Sequence, residues 1–128
     1  MNIFKSVIIF SVFTLDKSYG ENKQSHDKVL DLLDKNSIPY KELDGNYNGQ
    51  HELSILVNDT PDNRIIVNQL AMKYNQESIL LLDSNRHAML NKVISGATLA
   101  LGPLLSSKSQ PEALYWSFDK TTDTYFFT

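Results

Sequence analysis

Apolar residues run almost without a break from Val7 to Val12, after which the hydrophobic period changes repeatedly along the chain. Val7, Ile9 and Phe13 alternate with Ile8, Phe10 and Val12, so residues 6–15 read as a first strand, buried on both faces. Over residues 25–35, Val29, Leu30, Leu32 and Leu33 form a helical stripe that stops at Asn36, with Pro39 beyond it. Residues 40–43 make a short second strand. Residues 44–49, rich in Gly and Asn, predict a hairpin loop, and residues 53–57 a third strand. Thr60 followed by Pro61 has the form of an N-cap with Pro at the first helical position, after which Ile66, Val67, Leu70, Ala71 and Tyr74 share one face. Asn75 suits a left-handed helix stop. Residues 78–82 read as a fourth strand, and residues 83–85 as a turn into another extended run, 86–90.

Strand, helix, strand, strand, helix, strand is the ferredoxin-like split βαβ order, an α+β class with both helices on one face of an antiparallel sheet. The first and fourth strands lack the alternation of a solvated face, since residues 79–82 have no polar break. The pattern therefore predicts that something covers the face without helices, and a symmetric homo-oligomer is the economical cover. In the tail, residues 97–105 are apolar around Gly102 and Pro103, and residues 106–111 read as a loop. Residues 114–118 and 125–127 predict a hairpin across 119–123, with Tyr115, Trp116, Tyr125, Phe126 and Phe127 as packing residues or, less simply, an adenine-stacking wall. The whole of 1–128 reads as one domain, with a core over about 6–90 and an extension over about 91–128.

Composition narrows the partners. The chain holds 12 basic and 15 acidic residues for a formal net charge of -3. No Lys/Arg cluster supplies a nucleic-acid footprint, whereas a small cationic ligand is easily accommodated. The absence of Cys removes disulfides, thiolate metal sites and cysteine nucleophiles. Residues 1–20 have the outline of a signal peptide, but Asp16 and Lys17 stand between the apolar run and any cleavage site. The adopted reading is a first strand, with no membrane segment.

Candidate chemistry gathers between Gly45 and Leu82. Glu52 and Glu77 each stand where a loop or helix end becomes an apolar strand, and Glu52 follows Tyr47, which lies between Gly45 and Gly49. The plain alternatives are an exposed strand-end residue for Glu52 and a surface pair with Lys73 for Glu77. His26, His51 and His87 are scattered, no spacing matches a metal site, and no cofactor is implied. Nucleophile-elbow and phosphate-loop motifs are missing.

The run G-x-Y at 45–47, E-x-S-I-x-V at 52–57, a helix, and then N-Q-E-S-I-L-L at 75–81 resembles the phage S-adenosylmethionine lyases, long described as hydrolases. F-S-V-F at 10–13 is similar to that family's first-strand motif. The similarity covers roughly residues 7–90. In one departure, Tyr47 and Glu52 stand closer together than the family's pattern has them. The same motif order also resembles a family of small bacterial domains.

The phage resemblance implies a homotrimer with a PII-like fold and substrate bound between neighbouring subunits. It also implies cleavage of S-adenosylmethionine to methylthioadenosine and homoserine lactone in the cytoplasm of an infected cell, an anti-restriction role. Glu52 would orient the substrate ammonium, Tyr47 would hydrogen-bond near the amino-acid moiety, and Glu77 or Gln76 would complete the pocket. Ser11 and Phe13 would line it, with the loop beginning at Gly45 reading the adenine or ribose. A second class stays open at this level, a PII-like sensing or interaction module that binds a ligand without turnover.

Overall fold

The computed structural model describes residues 6–47, 50–111 and 115–127. Their order is β1 (Val7–Phe10), α1 (Tyr19–Lys35), β2 (Tyr40–Tyr47), β3 (Gln50–Asn58), α2 (Pro61–Lys73), β4 (Ser78–Leu82), β5 (His87–Lys92), β6 (Thr98–Pro103), β7 (Leu105–Ser107), β8 (Tyr115–Asp119) and β9 (Thr124–Phe127). All strands join one nine-stranded antiparallel sheet in the order β6-β5-β4-β1-β3-β2-β8-β9-β7. The chain is α+β, and no described helix is long and apolar enough to cross a membrane.

Several elements follow directly from local chemistry. Thr60 caps α2 by accepting from Asn63 N at 3.1 Å, Pro61 occupies the first turn, and Asn75 takes the left-handed conformation at φ 55°. The strand predicted at 78–82 is β4, and the tail hairpin is β8 and β9, paired from Trp116↔Phe127 to Asp119↔Thr124.

Three local expectations need correction. The first strand ends at Phe10 rather than residue 15, and α1 begins at Tyr19 rather than residue 25. The cause is a capping box: Ser18 Oγ accepts from Glu21 N at 3.1 Å, and Ser18 N donates to Glu21 Oε1 at 3.2 Å. That S-x-x-E signal was legible, and it turns residues 11–18 into a connection. The hairpin is also tighter than the Gly/Asn composition implied, because β2 continues to Tyr47 and β3 starts at Gln50.

Register separates the two faces of the sheet. Ile8 lies beside Val57 and Leu81, and Phe10 beside Ile55. These residues, with Ile79, pack against Val29 and Leu33 of α1 and Val67, Leu70 and Ala71 of α2 in one core, so both helices cover this face. Removing one of these large side chains, such as Ile8, would cost about 2–5 kcal/mol.

The opposite face was expected to await a neighbouring copy. Within a single chain, however, its Val7, Ile9, Leu43, Ser54, Ala88, Ser117 and Asp119 are already buried. The tail supplies the reason. β6 and β7 lie at opposite edges of the sheet, yet Leu104 alone separates them in the chain, so the sheet curls until its edges meet and is nearly barrel-shaped. The register slips between Ala88 and Met89, making Leu101 an extra residue beside Gly102 at φ 86°, and such a bulge bends the strand where the sheet must close. Inside the curl, Lys41 Nζ donates to Asp119 Oδ2 at 2.7 Å. Burial alone would raise the Asp119 carboxyl, but Lys41 and the Thr121 N–H, 2.9 Å from Oδ1, bring it below the ordinary carboxylate range.

Candidate functional site

The connection between β1 and α1 is built by side chains that hold its backbone. Ser11 Oγ donates to Leu53 O at 2.8 Å and accepts from Phe13 N at 3.1 Å. Buried Asn22 reads Thr14 from both sides: its Nδ2 donates to Thr14 O at 2.9 Å, and its Oδ1 accepts from Thr14 N at 3.0 Å. Gln76 Nε2 reaches across from the start of β4 to donate to Phe13 O at 2.7 Å. A loop whose carbonyls and amides are met this way can hold an open shape beside a strand end.

Between this connection and the start of β3 lies a cavity of about 310 Å³, lined by Phe13, Thr14, Leu15, Lys17, Tyr19, Asn22, Gln50, His51 and Glu52. That volume is at the small end of ligand pockets. Glu52 is the one carboxylate among its described lining residues. It is half-buried, and among the described residues it has neither an ion-pair nor a hydrogen-bond partner, so burial raises its pKa above the ordinary value. Burying a charge is costly unless it is paired, so a cation placed beside this acid would offset the cost of ionising it. Lys17 lines the same cavity but makes no ion pair with Glu52.

The residues expected in the site divide. Glu52 and Phe13 line the cavity together. Ser11 and Gln76 act behind it, through the hydrogen bonds that set the Phe13 backbone. Gly45 is buried directly across the ladder from Glu52, with Ser117 on its other side, so no side chain stands there beside the carboxylate. Tyr47 ends β2, and its side chain lies outside the described part of the structure, as do those of Tyr115, Trp116 and Phe127. Glu77 is not brought to this cavity within the chain. Its side chain is exposed, its carbonyl accepts from Val93 N at 3.0 Å, and the alternative surface pair with Lys73 does not form either, Lys73 Nζ lying over the Tyr74 ring at 5.5 Å.

Sequence reasoning passed over Asn22, Tyr19, His51 and Lys17. The capping box at 18–21 was the available signal for the first two, because it fixes where the helix starts and which side chains of its first turn face the connection. Nothing in the local pattern places His51 beside Tyr19. Among the described residues no cluster of His, Asp and Glu could hold a metal ion.

The search of curated proteins returned no match. A family model described as the S-Adenosylmethionine lyase family matches residues 8–128, which include the β1–α1 connection, Glu52 and the strands of the tail. With that match extending over nearly the whole length, the chain belongs to the S-adenosylmethionine lyase family and is an enzyme acting on that small-molecule substrate.

Proposed function

We propose that the protein cleaves S-adenosylmethionine to methylthioadenosine and L-homoserine lactone, the substrate's own carboxylate attacking the carbon next to the sulfonium. The C–S bond breaks as the lactone C–O bond forms, and the electron pair leaves on sulfur as a neutral thioether. No protein nucleophile is needed. The enzyme's task is to hold the methionine part in the reactive conformer and exclude water, positioning that can be worth up to about 7–11 kcal/mol.

The observation that carries this reading is the unpaired, partly desolvated Glu52 carboxylate in the cavity. It suits the substrate's α-ammonium, a charge that persists through the reaction. Against the sulfonium it would favour the ground state, because positive charge at sulfur disappears in the transition state. Phe13 lines the methionine side, with Ser11 and Gln76 setting its backbone. Gly45 leaves room beside the carboxylate, and Tyr47 supplies a hydroxyl near the amino-acid moiety. Hydrolysis with water as nucleophile is the second choice.

A homotrimer with sites between subunits belongs to the same reading. Its support lies at the cavity rim, where Leu15 is 78% exposed, rather than on the self-covered sheet face. A neighbouring copy on this rim would exclude water and bring in Glu77 from another chain. The central order β4-β1-β3-β2, with both helices on one face, is consistent with a ferredoxin-like, PII-like subunit extended by the tail. Removal of the methyl donor of host restriction and modification would be the biological use, in the cytoplasm of a phage-infected cell.

Product analysis tests the proposal. Purified protein incubated with S-adenosylmethionine should release methylthioadenosine, with homoserine lactone appearing before open homoserine. Homoserine as the first product would make it a hydrolase. The absence of methylthioadenosine would leave a ligand-binding module.

A further inference from the structure

A file of rings runs from the interior to the cavity mouth. His26, fully buried, stands edge-on to Phe13 at 6.2 Å between centroids and 83° between planes. Phe13 stands edge-on to Tyr19 at 5.6 Å and 74°, and Tyr19 stacks on His51 at 5.7 Å and 15°. Both ends are tethered by carboxylates: His26 Nε2 lies 2.8 Å from Glu42 Oε1, and His51 Nε2 lies 3.3 Å from Asp44 Oδ1. The edge contacts hold Phe13 and Tyr19 at fixed angles.

The outer pair differs from core packing. Near-parallel rings with centroids 5.7 Å apart are offset, overlapping only in part. Tyr19 is 50% exposed and the His51 side chain 52%, so the stack offers aromatic surface at the cavity mouth instead of burying it. His51 and Glu52 are consecutive on β3, and successive strand residues point to opposite sides. Both nevertheless line the cavity, which therefore wraps the strand end and meets the acid on one side of it and the flat aromatic surface on the other.

We infer that Tyr19 and His51 form a shelf on which the adenine ring of the substrate stacks, while Glu52 holds the amino-acid end. The identity of the ligand rests on the lyase reading above. The recognition chemistry is that of an aromatic platform, which takes a planar base through its π-face.

Calorimetric titration separates the two ends of the substrate. One probe is methylthioadenosine, which has the base but no charge. The other is S-methylmethionine, a sulfonium amino acid with no base. In Tyr19→Ala and in His51→Ala, methylthioadenosine affinity should fall about tenfold. Tyr19→Phe should restore it, and S-methylmethionine affinity should stay at the wild-type value in every variant. In turnover, KM for S-adenosylmethionine should rise more than kcat falls, with melting temperatures unchanged. Wild-type methylthioadenosine affinity in both alanine variants would overturn the shelf, and so would equal losses for the two probes, which would mark a collapsed cavity or a contact to sulfonium. Wild-type protein that binds no methylthioadenosine would also remove it. The lyase reading fails separately: a wild type that binds methylthioadenosine but leaves S-adenosylmethionine intact keeps the shelf and loses the reaction.

Discussion

Two connections lead from the sheet into helices, and they use their polar groups in opposite ways. From β3 to α2 the chain passes only through Asp59 and Thr60. There Thr60 caps the helix, Asp59 grips Arg64 through contacts of 2.9 and 2.7 Å, and Asn63 Nδ2 returns to Asn58 O at 3.0 Å. These side chains bond within the corner, and the Asp59 N–H ties it to β1 by donating to Ser6 O at 3.0 Å. From β1 to α1 the chain takes residues 11–18, whose backbone is held from outside by Asn22 and Gln76 while Phe13, Leu15 and Lys17 face a cavity with Glu52. A short self-satisfied corner supplies stability. A longer one, pinned from behind, leaves its front free for a ligand.

The strongest way to break the contrast is at the carboxylate. Glu52→Gln should lower kcat/KM about a hundredfold, the usual scale for removing one partner of a buried charge pair, with the elution volume on sizing unchanged. Stability should move the other way. Because the folded pKa of Glu52 is raised, its ionised form is disfavoured by the fold, and the stability it contributes below its unfolded pKa is lost as pH rises through the folded one. At neutral pH the Gln variant should therefore melt at or above the wild-type temperature. Capture of the ammonium needs the ionised acid, so wild-type kcat/KM should fall as pH drops through that raised pKa. The Gln variant should lose this dependence, and an unchanged acid limb would take Glu52 out of the site.

Asn22→Ala probes the pinning of the longer connection. It leaves the Thr14 N–H and carbonyl without their partner, which should cost about 1–3 kcal/mol in denaturant unfolding and loosen the wall that carries Phe13. An accompanying rise in KM would show that the connection binds through its shape.

Thr60→Ala sets the small end of the scale. It removes an N-cap, worth about 1 kcal/mol, from a corner that does not line the cavity beside Glu52. Unfolding should register that loss, while kcat and KM stay at wild-type values. A changed KM would mean that the two connections are coupled and that the contrast drawn between them is too sharp.

Much of the short corner was legible in the sequence, because its signals are local. Thr60, Pro61 and Asn75 each act within a few residues of themselves, and the structure has α2 and β4 where the pattern predicts them. Glu52 was legible as an acid at a strand start, and Phe13 as a residue beside it. The longer connection was misread as strand because Val12 and Phe13 continue an apolar run, and both are buried without extending β1. Periodicity reports burial, and burial does not require a ladder partner. Glu77 is a different case: a carboxylate at a strand mouth looks alike from the sequence whether its own chain or a neighbouring one brings it to a cavity.

The sequence by itself determined which segments become helices and strands in the core, how α2 starts and stops, the tail hairpin, and a carboxylate at the start of the third strand. Those outcomes rest on caps, turn residues and hydrophobic period, which act over a few bonds. Only the tertiary structure decided that the tail curls the sheet nearly into a barrel, that the helix-free face is covered within one chain, and that Tyr19 meets His51 beside Glu52. These depend on register between strands far apart in sequence and on where a long connection is tied, and such contacts carry no local pattern to read.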